Sequence, residues 1–203
     1  MDINKLKLNK TEFGKPENKG NVPSAADAEA LMKDWVKNEK LQLHMMQVGE
    51  VLYQWAIKKE GLSEKEAIKW KAAGILHDAD WDQWPEQHCR KIIEHLENEN
   101  TDPDVIHAIA SHSPSYFGVD PVSRLDHMIY AVDELSGFVH AVSLVRPEAY
   151  EGMKVKSVNK KLKSAAFAAQ VSREEIRDGA ERAGLELSEL ISFIIGTQKN
   201  VTI

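Results

Sequence analysis

Ala72-Ala73-Gly74-Ile75-Leu76-His77-Asp78-Ala79-Asp80 is an apolar, helix-patterned run that ends in two metal-ligand residue types, and an acidic, Trp-rich turn to Pro85 follows at once. An imidazole and a carboxylate on the core-facing end of a helix are expensive to bury unless they are paired or hold a cation. The run therefore points to a metal ion at a helix terminus. It also directs the search to other His and Asp residues that share a face with apolar helix positions, and His44, His88, His112 and Asp133 meet that description.

The spacing carries the argument. His44 lies three residues after Leu41 and four before Val48, so it faces inward with them. His88 lies four before Ile92 at the start of its helix, and His112 lies seven after Val105 and three after Ile109. Asp133 lies four after Ile129 and eight after Leu125, on a core stripe. A lone inward histidine is ordinarily a hydrogen-bonded core residue, and a lone buried Asp ordinarily caps a helix or pairs with a His. The set is what moves the reading toward a metal. His107 and His127 fall off the stripes that carry His112 and Asp133 and read as surface or supporting residues.

Beyond residue 23 the pattern is helical almost throughout, with no sustained period-two alternation. Ser24 reads as an N-cap for the stripe Ala28, Leu31, Met32, Trp35. A second helix carries Leu41 to Trp55 and stops at Gly61; Ser63 with Glu66 is a capping box for a third running to Asp78. Pro85-Glu86 opens a helix with Cys89 and Ile92, and Asp102-Pro103 opens the next. Ser113 to Pro121 reads as a loop, and Ser123 starts the helix of Asp133. Three further helices are predicted at about 157–168, about 173–183 (with a Ser172/Glu175 capping box) and about 189–197. The fold class is all-α: a polar arm over residues 1–23, then a single domain over 24–200.

A chain of 203 residues can bury a full core in one domain. Its net charge of −6 argues against general nucleic-acid affinity. Cys89 stands alone, the start lacks the apolar stretch of a signal peptide, and no apolar run approaches the ~20 residues that span a bilayer. These features lead us to expect a cytoplasmic protein with no membrane partner.

The order His44, His77-Asp78, Asp133, each on a separate helix, resembles the HD superfamily of metal-dependent phosphohydrolases over roughly residues 35 to 140. Further on, Tyr130-Ala131-Val132-Asp133-Glu134-Leu135, Leu144-Val145-Arg146-Pro147 and Lys154 to Phe167-Ala168 are similar to a compact bacterial and archaeal branch of HD-domain hydrolases. The resemblance implies an HD-type helical bundle with additional C-terminal helices. It implies that His44, His77, Asp78 and Asp133 hold one divalent metal. His88 and His112 match the two extra histidines of two-metal branches, with Asp78 bridging both ions, although His88 follows Asp78 more closely than in many relatives. Imidazole and carboxylate donors suit Mn, Fe, Co, Ni or Zn, and paired ions ~3.5–4 Å apart activate water and polarise a phosphoryl oxygen.

Asp80 and Asp82 are candidates to orient the attacking water, Asp82 being the better match to HD hydrolases, against the plain reading that Asp caps turns. Arg146, Lys156 and Lys161, from a local basic stretch, are candidates to hold a substrate phosphate, against a solvated helix face. Tyr116 and Phe117 can stack on a base or pack as a lid. The expected function is hydrolysis of a small phosphorylated, nucleotide-like substrate. The alternatives are a di-iron HD oxygenase, a non-catalytic metal- or nucleotide-sensing module, and RNA binding through Lys154–Lys163.

Overall fold

The structure is a computed structural model that describes residues 6–10, 12–14 and 19–203. It is all-α. Ten α-helices are found among the described residues: α1 Ala25–Trp35, α2 Glu39–Lys58, α3 Glu64–Leu76, α4 Arg90–Asn98, α5 Pro103–Ala110, α6 Pro114–Phe117, α7 Arg124–Leu144, α8 Val155–Leu162, α9 Arg173–Arg182 and α10 Leu187–Gln198. The long helix α7 is the axis of the bundle and packs on α2, α3, α5, α8, α9 and α10. It can do so because its sequence is apolar on several faces: Leu125, Met128, Ile129, Val132, Leu135, Phe138, Val139 and Val142 are all buried.

Helices α2 and α3 lie backbone to backbone. A Cβ on Gly74 would sit 2.7 Å from Gly49 Cα, and one on Gly49 would sit 2.7 Å from Ile75 Cγ1. These two glycines let the helices touch, and the touch matters downstream: His44 lies five residues before Gly49 and His77 three after Gly74.

Local caps follow the sequence reading closely. Ser24, Ser63, Asp102 and Ser123 accept hydrogen bonds from the first turns of α1, α3, α5 and α7. Several boundaries and caps differ, among them α8, which spans Val155–Leu162 rather than about 157–168. Helix α3 ends at Leu76 rather than Asp78, with His77 as its cap residue. Pro85–Gln87 forms only a 3-10 turn, the chain is extended at His88 (φ −58°, ψ 138°), and α4 begins at Arg90. The cause is Asp80, whose Oδ2 accepts from Ile92 N at 2.9 Å and so caps α4 from twelve residues upstream. The predicted loop 113–121 contains the short α6, closed by Gly118 at φ 72°. The predicted Ser172/Glu175 box is half made: Ser172 Oγ accepts from Glu175 N, but the Glu175 carboxylate is taken by the hydroxyls of Ser113 and Ser115.

The described part of the N-terminal arm belongs to the core. Leu6, Leu8 and Phe13 are buried. Leu8 N donates to Phe117 O at 3.0 Å, Arg90 donates to Lys7 O at 2.6 Å, and Asn21 N donates to Asn100 O at 2.8 Å. Residues 1–5, 11 and 15–18 of the expected arm lie outside the described residues.

Candidate metal centre

The contact of α2 with α3, and of both with α7, gathers the first cluster. His44 Nε2 lies 2.9 Å from Asp133 Oδ1, and His77 Nε2 lies 3.3 Å from the same oxygen. The turn after α3 adds Asp78, whose Oδ2 is 3.4 Å from His77 Nε2. Asp78 Oδ1 faces the other way, 3.3 Å from His88 Nε2 and 3.7 Å from His112 Nε2. Two groups of possible donors result: His44, His77 and Asp133, and Asp78, His88 and His112. One carboxylate thus presents an oxygen to each.

Three of the imidazoles are locked from behind. His77 Nδ1 donates to Gly74 O at 2.8 Å, His112 Nδ1 to Ile109 O at 2.6 Å, and His88 Nδ1 to Asp80 Oδ1 at 2.6 Å. Acceptors on Nδ1 fix a proton there, so Nε2 is the atom each ring presents to the shared space, where loss of its own proton frees a lone pair for a ligand bond. His77 Nε2 is buried and makes no well-formed hydrogen bond, although Asp133 Oδ1 and Asp78 Oδ2 lie 3.3 and 3.4 Å away; a cation between them would complete the arrangement.

Donor spacing fits such a cation. Ligands ~2.0–2.2 Å from one ion stand ~3 Å apart at right angles and ~3.4 Å apart at the tetrahedral angle, and the observed separations run from 2.9 to 3.7 Å. Charge fits as well. Burial opposes protonation of His77, but Asp78 and Asp133 outweigh it and hold the imidazole well above its ordinary range. Burial is likewise outweighed at His88, which Asp78 and Asp80 raise to about 9. Against burial, His77 with His88 pulls the Asp78 carboxyl well below the usual carboxylate range, and His77 with His44 does the same for Asp133. At His112 burial and the neighbouring His77 prevail and lower it to about 4. Without an ion, His77 and His88 retain protons as the positive charge of the cluster, and a divalent cation could take their place.

The clusters open into a cavity of about 630 Å³. Its lining joins His44, Asp78, His88, His112 and Asp133 to Leu6, Trp81, Phe117, Val171 and Glu134, among others. Phe117 packs on both His88 and His112, with ring centroids 5.2 and 4.9 Å apart, and Trp81 packs edge-on against His88 at 4.9 Å. Glu134 is pushed up to about 8 by burial and by Asp133, and its Oε2 accepts from Ser172 N. A wider groove of about 880 Å³ between α2 and α10 is lined by no histidine.

Several sequence candidates lie elsewhere. Asp82 does not enter the cavity: it is exposed and its Oδ2 accepts from Lys37 N and Asn38 N at 2.7 and 3.1 Å, tying the α1–α2 link. Asp80 is fully buried behind His88, where both its oxygens are engaged, so it faces a ligand rather than a water. Arg146 braces its own turn by donating to Ala149 O and Glu151 O. Lys161 Nζ sits over the Phe167 ring at 4.5 Å, and Lys156 is exposed on α8. None of these three cations is brought to the cavity lining. Helix α8 turns Val158 into the core, and no lysine of the basic stretch lines the cavity.

Other contributors left little trace in the sequence. Leu6 comes from an arm with no periodicity, and nothing in its neighbourhood marks it as a wall of the cavity. Arg173 pins the segment that carries Gln170 and Val171, donating to the carbonyls of Ser164, Phe167, Ala168 and Val171 while its guanidinium lies 4.8 Å from the Phe138 ring. Its place in the first turn after the Ser172 cap carries no sequence signal of that role.

An all-α bundle that turns three Nδ1-anchored imidazoles, a fourth imidazole and two carboxylates toward one space defines a class: a helical protein with a candidate divalent-metal centre. Residues 42–137 match the family model of the HD domain, a stretch that includes all six of those residues, and the match supports membership of the HD-domain superfamily. No curated protein and no solved structure matches the chain.

Proposed function

We propose that the protein is a divalent-metal-dependent phosphohydrolase acting on a small phosphorylated substrate. The observation that carries this reading is Asp78, whose two oxygens face two separate sets of histidine nitrogens. The match of residues 42–137 to the HD-domain family model supports it. His44, His77, Asp78 and Asp133 would hold one ion, and His88 and His112 would hold a second that shares Asp78. Imidazole and carboxylate donors suit Mn, Fe, Co, Ni or Zn. Bound there, such ions supply Lewis acidity toward a phosphoryl oxygen and lower the pKa of water.

The chain's own groups do the rest. Gly74 O, Ile109 O and Asp80 hold three imidazoles in the ligating tautomer. Asp78 and Asp133 balance cation charge, and Leu6, Phe117 and Trp81 exclude water from one wall. In the reaction, water oxygen bonds to phosphorus, the P–O bond to the alcohol breaks, and the water's proton ends on the departing alcohol. We read residues 24–200 as one domain. No described helix is long and apolar enough to cross a membrane, and the single Cys89, buried and reduced, is consistent with a cytoplasmic setting.

The test is metal analysis of purified protein together with phosphate release from p-nitrophenyl phosphate, for wild type and Asp78→Asn. The amide keeps the size of the carboxylate but loses its charge and its capacity to bridge. Turnover that requires metal and vanishes in the variant is the expected result. Metal bound at the site with no hydrolysis of any phosphate ester would instead indicate a non-catalytic module.

A further inference from the structure

The cavity has a marked division of chemistry. The two donor clusters share its lining with Trp81, Phe117, Tyr116, Leu6 and Val171, of which Trp81 and Phe117 pack on ligand histidines. Trp81 and Tyr116 are 39% and 41% exposed. Among the exposed large apolar side chains of the described residues they are the two aromatic ones, and both line this cavity. Exposed aromatic faces at a cavity mouth mark a surface that a flat ligand covers.

Charge narrows the ligand further. Two divalent ions set against Asp78 and Asp133 leave a formal surplus of two positive charges, matched by one phosphate monoester dianion. A second or third phosphate would need further cations. No Lys or Arg is found among the described residues that line the cavity; its remaining carboxyl side chain is Glu134. The nearby Arg173 already donates to four carbonyls. Polar groups that remain, Gln170 and the Tyr116 hydroxyl, suit hydrogen bonds to an uncharged body, while Ser113 Oγ already donates to Glu175.

We propose that the substrate is a monophosphate ester of a flat, uncharged, ring-bearing alcohol, with its single phosphate at the metal clusters and its ring against Trp81 and Tyr116. This rests on the phosphohydrolase reading and narrows it. Hydrolysis yields inorganic phosphate and the free alcohol, with water supplying the oxygen to phosphorus and the proton to the alcohol. A nucleoside and a simpler aromatic alcohol share this chemistry.

The experiment is steady-state hydrolysis by the full metal-loaded chain of p-nitrophenyl phosphate, deoxyadenosine 5′-mono-, di- and triphosphate, and glycerol 2-phosphate, which has no ring, beside calorimetric titration of the metal-free chain with deoxyadenosine, whose binding should weaken several-fold in Trp81→Ala and Tyr116→Ala. The monophosphate should exceed the di- and triphosphate at least tenfold in kcat/KM. Preference for deoxyadenosine monophosphate over the nitrophenyl ester points to a nucleoside, and the reverse to a simpler aromatic alcohol. In Trp81→Ala and Tyr116→Ala, the ratio of kcat/KM for the ring-bearing monophosphate to that for glycerol 2-phosphate should fall several-fold. Taking the ratio within each variant removes any effect on metal loading through His88. The exposed Val122, remote from the cavity lining, is the control: Val122→Ala should leave the ratio unchanged. Equal or better use of the di- or triphosphate, or an unchanged ratio in both aromatic variants, overturns this inference and leaves the hydrolase reading standing. Absence of turnover on every compound overturns the hydrolase reading itself.

Discussion

Replacing Asp80 with Asn separates the two donor clusters. Asp80 is fully buried, and its carboxylate serves two donors, His88 Nδ1 at 2.6 Å and Ile92 N at 2.9 Å. Asparagine of the same shape offers one acceptor oxygen. If that oxygen keeps the Ile92 N–H, the amide NH2 faces His88 Nδ1, which must then accept; the ring proton moves to Nε2, the atom aimed at Asp78, and that nitrogen can no longer ligate. If the oxygen turns to His88 instead, the NH2 meets the Ile92 N–H donor to donor and α4 loses its cap. Loss of a supporting partner of this kind costs about 10–100-fold in metal affinity, or ~1.4–2.7 kcal/mol. A buried unpaired N–H costs about 1–3 kcal/mol of stability. The assay is calorimetric titration with Mn²⁺ beside a thermal melt. Of two binding events in the wild type, one should weaken by that factor in Asp80→Asn, while the event at His44, His77 and Asp133 stays within about twofold, since those residues make no bond to Asp80. Unchanged binding and unchanged melting would mean that Asp80 is only a turn residue. Equal loss of both events would mean that the clusters are not separable units.

Three other outcomes follow from the same contacts. Gly74→Ala drives a Cβ to 2.7 Å from Gly49 Cα; overpacking of about 1–3 kcal/mol exceeds the helix-propensity gain of up to ~1 kcal/mol, so the melting temperature should fall by several degrees, and a rise would refute the close α2–α3 contact. In the metal-free protein His88 titrates at about 9 against an ordinary 6.5, so the stability it adds is complete below pH 6.5 and is lost as pH rises through 9; melts from pH 6.5 to 9.5 should decline without metal and flatten with it, and metal binding at pH 7.5 should release protons, whereas a flat metal-free profile would contradict the shift. Replacing Lys156 and Lys161 together by Ala should leave KM for a phosphate ester within twofold, because neither side chain lines the cavity; a several-fold rise would return the lysines to the site.

The helices were legible because their signals are local. Ser63 with Glu66, Asp102 before Pro103, and Ser123 mark helix starts through bonds that a few residues decide. His44 and Asp133 were legible because each lies on an apolar stripe whose period fixes its face. Where the reading fell short, the deciding contact was distant in sequence. Asp80 and Asp82 look alike in a turn, yet one reaches back to cap α4 and hold His88 while the other ties α1 to α2. The start of α4 moved to Arg90 for the same reason. The wall made by Leu6, and the strap that Arg173 holds over Gln170 and Val171, depend on tertiary packing with no periodic signature. The lysines of α8 carried a charge signal, but which way a short helix faces is set by what it packs on, here α7 and α10.

The central claim is that His44, His77, Asp78, His88, His112 and Asp133 form a divalent-metal site. Anomalous diffraction from crystals of the full chain grown with Mn²⁺ tests it most directly. The account predicts two anomalous peaks ~3.5–4 Å apart, one among His44, His77 and Asp133, the other among His88 and His112, with Asp78 contacting both. Peaks elsewhere on the molecule, with the six side chains free of metal at saturating Mn²⁺, would contradict it.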